Sequence, residues 1–200
     1  MRASDWAGSP PTNQQEAQEI LLQGAMDCAR EFGITKINIK RVAEQVGVTR
    51  QTVYRYFSSA DALIAAVSWR VVNDTVGKLE QHVKARKGFE NKVIESVLFL
   101  SEEIPNNEFL RQYFSANALQ IQSLEELFNP MTLQFCVDYL RSIKAGKQTT
   151  VEEEQWLLDL AEHLLRTVLQ LIIAPSERTA TLEKKRKYLQ NWLRPLLICK

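Results

Sequence analysis

The segment Ile39–Phe57, IKRVAEQVGVTRQTVYRYF, concentrates side chains suited to reading and gripping a nucleic acid. Arg50 has the fork that pairs with a guanine edge, and so does Arg55. Gln51 matches adenine, and the Thr52 methyl matches the methyl of thymine. Tyr54 and Lys40 suit phosphate oxygens, which fix position without specifying sequence. A solvated helix face would explain any one of these residues. Five of them behind a single turn is a different matter.

That turn is what must position them. Two short helices cross closely only where the contact residue is small, and Ala43 stands at that place. Four residues later the chain must reverse, and Gly47 allows the positive φ this needs. Val42, Val46, Val48 and Val53 fall where side chains point into a small core shared with the preceding helix. Small residue, turn glycine and β-branched anchor at these spacings mark a helix-turn-helix. Asn38 and Thr49 are the N-caps of helices near 39–46 and 50–57.

Around this unit, apolar residues recur with a period near 3.6 and without sustained alternation, so the chain is read as all-α. Residues 1–12 lack periodicity and are expected to be a disordered tail. Asn13 with Glu16 forms a capping box that opens a helix running to Phe32. Ser58 or Ser59 caps a fourth helix from Ala60 to about Gly88. Further helices are expected near 89–103, 106–119, 123–145, 150–174 and 178–198. Pro105, Gly146 and Pro175 mark breaks, and Pro130 should kink or divide its helix. Thr150 and Glu153 form another capping box.

Composition narrows the functional classes. The 200 residues carry 25 Lys and Arg against 24 Asp and Glu, a net charge of +1. Ile34 to Ala60 nevertheless holds Lys36, Lys40, Arg41, Arg50 and Arg55 against Glu44 alone, whereas Leu100 to Leu127 is acidic. Three widely spaced cysteines without a CxxC pair read as thiols in a reducing compartment. The absence of a signal segment and of a long apolar run points to a cytoplasmic protein with no membrane role. Two distant histidines, no nucleophile motif and no phosphate loop speak against an enzyme, a metal site or a cofactor. The acidic run Glu152–Glu154 and the basic run Lys184–Lys187 are expected to be solvated helix faces.

From Ile20 to Val67 the chain resembles the TetR family of bacterial one-component transcriptional regulators. The resemblance lies in AREFGITKINIKRVAEQVGVTRQTVYRYFSSADALIAAV, above all in VGVTRQTVYRYF followed by a Ser-capped helix opening on Ala-Leu-Ile. It implies a three-helix DNA-binding domain over 13–59, joined by a long helix to an effector-binding and dimerisation domain over 60–200, about nine helices in all. It also implies base or backbone contacts from Arg50, Gln51, Thr52 and Arg55, phosphate contacts from Tyr54 and Tyr56, and a DNA-facing Lys40. Ala60 departs from the family, where a Lys often reaches a phosphate.

By the same resemblance, the later helices wall a pocket for a small-molecule effector that releases a palindromic operator from a homodimer. Candidate pocket residues are Trp69, Val93, Val97, Phe109, Tyr113, Asn117, Phe128, Phe135, Tyr139 and His163, though core packing explains any single aromatic as well. Candidate dimer contacts from the last two helices are Trp156, Leu160, Leu164, Leu189, Trp192 and Leu193. The alternatives are an activator, a partner-controlled regulator, or an all-α small-molecule carrier that does not bind DNA.

Overall fold

The computed structural model describes Trp6 and residues 10–111, 128–144 and 150–198. All regular structure among them is helical. The chain divides into two compact units, one of residues 1–75 with 108–113, the other of residues 76–107 with 114–200.

The first unit is built from α1 (Gln14–Phe32), a single 3-10 turn (Ile34–Lys36), α2 (Ile39–Val46), α3 (Arg50–Tyr56) and most of α4 (Ala60–Val83). Leu21, Ala25, Cys28, Val42, Ala43, Val53, Phe57, Leu63 and Val67 share one buried cluster. Asn13 caps α1 as expected, its side chain accepting from the Glu16 amide at 2.9 Å. The Glu16 carboxylate turns instead to the backbone and hydroxyl of Thr12, each at 2.6 Å. These hydrogen bonds hold its carboxyl below the usual carboxylate range.

A glycine that sequence reasoning passed over sets the distance between α1 and α2. Gly24 is buried, and a Cβ there would collide with Cγ2 of Val46. The approach of α1 to α2 therefore depends on Gly24 having no side chain. Ser59 rather than Ser58 caps α4, its Oγ accepting from the Ala62 amide at 3.0 Å.

The second unit takes the end of α4, then α5 (Phe89–Asn106), α6 (Pro130–Ile143), α7 (Val151–Ile173), α8 (Leu182–Trp192) and α9 (Arg194–Ile198). α5 is central, packing against each of α6 to α9. All six residues from Val93 to Leu98 are buried, as in a helix surrounded on every side.

Four expected boundaries moved, three of them at prolines. α4 stops at Val83 rather than near Gly88, because the chain turns at Arg86 and Gly88, at φ 82°, opens α5. α5 runs through Pro105 to Asn106; a proline in the last turn removes one backbone bond, and the amide of Asn107 still reaches the Glu103 carbonyl. Pro130 neither kinks nor interrupts α6 but begins it, behind an Asn129 cap, where its missing N–H costs nothing. The expected helix 178–198 is two helices. Pro195 has no N–H for the Asn191 carbonyl, and the break falls at Leu193.

Candidate nucleic-acid interface

The reading face is prepared by caps and a left-handed turn. Asn38 Oδ1 accepts from the Arg41 amide at 3.0 Å to start α2, and Thr49 Oγ1 accepts from the Thr52 amide at 3.1 Å to start α3. Between them Gly47 adopts φ 74°, which lets the Val48 amide reach the Ala43 carbonyl at 2.9 Å. A side chain at Gly47 would be forced into a region L-residues avoid. Val53 and Phe57 then point into the core and fix the rotation of α3.

With that rotation set, Arg50, Gln51, Tyr54 and Arg55 are exposed, Tyr54 to 54%. Thr52 departs from the expected outward set. It is buried, with its hydroxyl 2.9 Å from that of Thr49, so it completes the helix cap rather than offering a methyl to a base. Tyr56 is half-buried, and the Arg55 guanidinium lies over its ring 5.1 Å from the centroid.

Lys40, Arg50 and Tyr54 converge. They line an open depression of about 370 Å³ with Asn38, Ile39, Ser58, Ser59 and Ala60. The Lys40 ammonium, a phenol and two hydroxyls thus stand by the N-terminal end of α4, groups able to hold a phosphate oxygen, with the Arg50 guanidinium beside them. Among the described residues Lys40 is engaged only by Glu44 at 3.8 Å, with both side chains mostly exposed, so a phosphate can displace that pair at little cost. Arg41 belongs elsewhere: it donates to the Lys36 carbonyl at 2.9 Å and lies over the Phe32 ring.

The comparisons agree with this geometry. Residues 21–67 match the family model of the bacterial regulatory proteins of the tetR family. Over these residues the chain is similar to TetR-family transcriptional regulators. A helix-turn-helix transcriptional regulator of Bacillus subtilis, YvdT, is 28% identical over 79 residues, covering 40% of this chain and 41% of the relative. The nucleoid occlusion factor SlmA of Haemophilus ducreyi is 26% identical over 145 residues, covering 67% and 68%. The chain thus spans well under half of the length of YvdT. Among solved structures, a TetR-family regulator from Pectobacterium atrosepticum superposes with a TM-score of 0.67 at 18% identity, over 92% of this chain and 95% of that one. The TetR-family repressor AlkX from Dietzia gives 0.59 at 14% identity, over 94% and 100%. These structural likenesses establish the fold.

The expected pocket residues are divided between the two units. Trp69 and Phe109 belong to the first unit, where Phe109 packs against the buried cluster and Trp69 is 41% exposed. In the second unit Val93 and Val97 are buried, and Phe128 and Phe135 are half-buried. Tyr139 shares a 2.6 Å hydrogen bond with buried Ser96, and burial pushes its phenol up to about 12. Beside it on α6, burial pushes the Cys136 thiol up to about 11. His163 is exposed on α7, and Tyr113 and Asn117 lie outside the described residues.

The expected dimer residues divide as well. Leu160, Leu189 and Leu193 are buried within the subunit, and Leu164 is half-buried. Trp156, also half-buried, packs beside Phe89 and under the Lys144 ammonium. Trp192, at 70%, stays exposed, as do Leu182, Leu196 and Ile173.

The basic run on α8 is a correction. Lys185 is buried and reaches Glu102 at 2.7 Å, and Arg186 pairs with buried Glu95, so half of the supposed solvated face serves the interior. Among the described residues, no helix is long and apolar enough to cross a membrane, and no cluster of His, Cys, Asp and Glu has metal-binding geometry.

Proposed function

We propose that this regulator is a repressor that binds a palindromic operator as a homodimer and leaves it when a small hydrophobic ligand binds the second unit. The observation that carries the DNA reading is the convergence of Lys40, Arg50 and Tyr54 at the start of α4, beside an α3 whose outward residues are Gln51 and Arg55. Phosphate contacts come from Lys40 and Tyr54, base readout from Arg50, Gln51 and Arg55. In the proposed homodimer exposed Trp192 and Leu196 supply pairing surface, and a two-fold operator offers the two α3 helices half-sites about one DNA turn apart, ~34 Å.

Release follows from linkage. A ligand weakens DNA binding only by as much as it prefers the conformation that does not fit the operator. α4 is suited to carry that preference, because Leu63 is fully buried in the first unit while the same helix continues to Val83. The repressor AlkX, implicated in biodegradation of n-alkanes, shares this fold and offers an analogy for such control. The test is fluorescence anisotropy with duplex DNA from upstream of the protein's own gene. Binding should fall steeply with salt and weaken in Arg50→Ala. Salt-insensitive binding, or none to any duplex tested, would overturn the reading; release by apolar metabolites would identify the effector class.

A further inference from the structure

We infer that Trp6, ahead of the first helix, is a positioning residue for the DNA-reading helix. This rests on the function proposed above. Trp6 is the one aromatic residue in the stretch MRASDWAGSPPT, and it is only 7% exposed. It belongs to the buried cluster that contains Leu21, Val53, Phe57 and Leu63. Its backbone sits at φ 83°, a conformation that non-glycine residues rarely hold unless packing demands it.

Its ring meets that of Tyr56 edge to face, with centroids 6.2 Å apart and planes at 79°. Tyr56 in turn carries Arg55. The guanidinium lies 5.1 Å from the ring centroid and donates from Nη2 to the phenol oxygen at 3.5 Å. Indole, phenol and guanidinium thus form a relay from the N-terminal segment to a side chain of the reading face.

Such a brace answers a weakness of α3. The helix has only seven residues, and its C-terminal cap, Phe57, is in an extended conformation with no glycine turn to close it. Phe57 anchors the inner side of that end, and Trp6 holds the outer side through Tyr56. A long arginine side chain restrained before binding loses less freedom when it meets DNA than one that searches many rotamers. The fold of the unit depends on the larger cluster, so removing Trp6 should loosen Arg55 more than it unfolds the domain.

The experiment compares full-length wild type, Trp6→Ala and Trp6→Phe, each alone and combined with Arg55→Ala, by anisotropy against the upstream duplex. The Arg55 Cδ protons are followed by NMR without DNA. Trp6→Ala should lower affinity about fivefold in the wild-type background and by nothing further in Arg55→Ala. Arg55 should lose its ring-current shift, and Trp6→Phe should keep both properties. Equal losses in the two backgrounds, unchanged affinity, or unmoved Arg55 resonances would overturn the inference. If wild type fails to bind DNA while Arg55 shifts as expected, the proposed function is at fault instead.

Discussion

The two units use their basic side chains in opposite ways. On the reading face, Arg50 and Arg55 make no ion pair among the described residues, and Lys40 has only a long, exposed one. In the second unit, by contrast, a set of cations between the helices is already matched. Arg86 and Arg186 close on Glu95, Lys185 on Glu102, Lys78 on Glu103, and Arg141 on Glu154 and Asp138. The carboxylates of those last two hold the Arg141 guanidinium charged more firmly than usual. A near-zero net charge thus hides one face whose charges await a partner and one core whose charges are spent on holding helices together. Phosphate can recruit the first set cheaply; recruiting the second would first break the fold.

The sharpest way to break this contrast is at Glu95, whose side chain is 6% exposed between two guanidiniums and the His82 imidazole. Glu95→Gln keeps the shape and removes the charge that both arginines share. Removing one member of a buried ionic cluster leaves the others uncompensated, and partial exposure of the arginines moderates the loss to about 2–3 kcal/mol. Urea unfolding followed by far-UV circular dichroism measures it. A change below about 0.5 kcal/mol, the usual range for surface substitutions, would mean the cluster is not structural.

His82 gives the same cluster a pH dependence. Glu95 lies 3.4 Å from its Nε2, yet that carboxylate is already matched by arginines. Burial, then Arg86 and Arg186, therefore hold the imidazole below its ordinary value of 6.5. Below that value the unfolded chain takes up a proton that the native state resists. The contribution is present above about pH 6.5 and is lost as pH falls through the lower folded value. In His82→Gln, the fall in stability between pH 7 and 5 should be shallower than in wild type. An unchanged slope would assign the dependence to other groups.

On the other side of the contrast, Arg50→Ala should cost about 1–3 kcal/mol of binding, roughly ten- to a hundredfold in affinity, with little change in unfolding. Lys40→Ala should weaken binding to all sequences alike and reduce the salt slope by about one. If Arg50→Ala instead lowered the unfolding midpoint as Glu95→Gln does, the reading face would be part of the core and the contrast would collapse.

These differences also show what a sequence discloses. The helix-turn-helix was legible because its elements are local: Asn38 and Thr49 cap within three residues, and Gly47 turns where φ must be positive. Thr52 was misjudged because helix spacing cannot tell a side chain that faces a base from one that closes its own cap. Lys185 and Arg186 were misjudged because their partners are more than eighty residues away, a separation no local pattern reports. Pro130 was misread and Pro195 passed over because a proline starts one helix and ends another, depending on what precedes it. The proposed effector pocket was the least legible part, since apolar residues that line a cavity and those that fill a core share one period.

Two glycines carry the contrast between units to its smallest scale. Gly24 lies where α1 meets α2, and a Cβ would strike Val46 at its branched end. The helix gains from alanine in general, but this overpacking costs about 1–3 kcal/mol, so Gly24→Ala should be destabilising on balance and should lower DNA affinity with it. Gly77 lies in α4 two residues beyond Thr75, where the first unit ends, and a Cβ there would meet nothing within 4 Å. Close packing therefore does not explain this glycine, which weakens the helix by about 0.5–1 kcal/mol relative to alanine. Gly77→Ala should raise the unfolding midpoint and leave intrinsic DNA affinity in place. If α4 must bend there to pass on effector binding, the same variant should need more ligand to leave the operator. A stabilised variant with unaltered release would make Gly77 a tolerated flaw in the helix rather than a point of compliance.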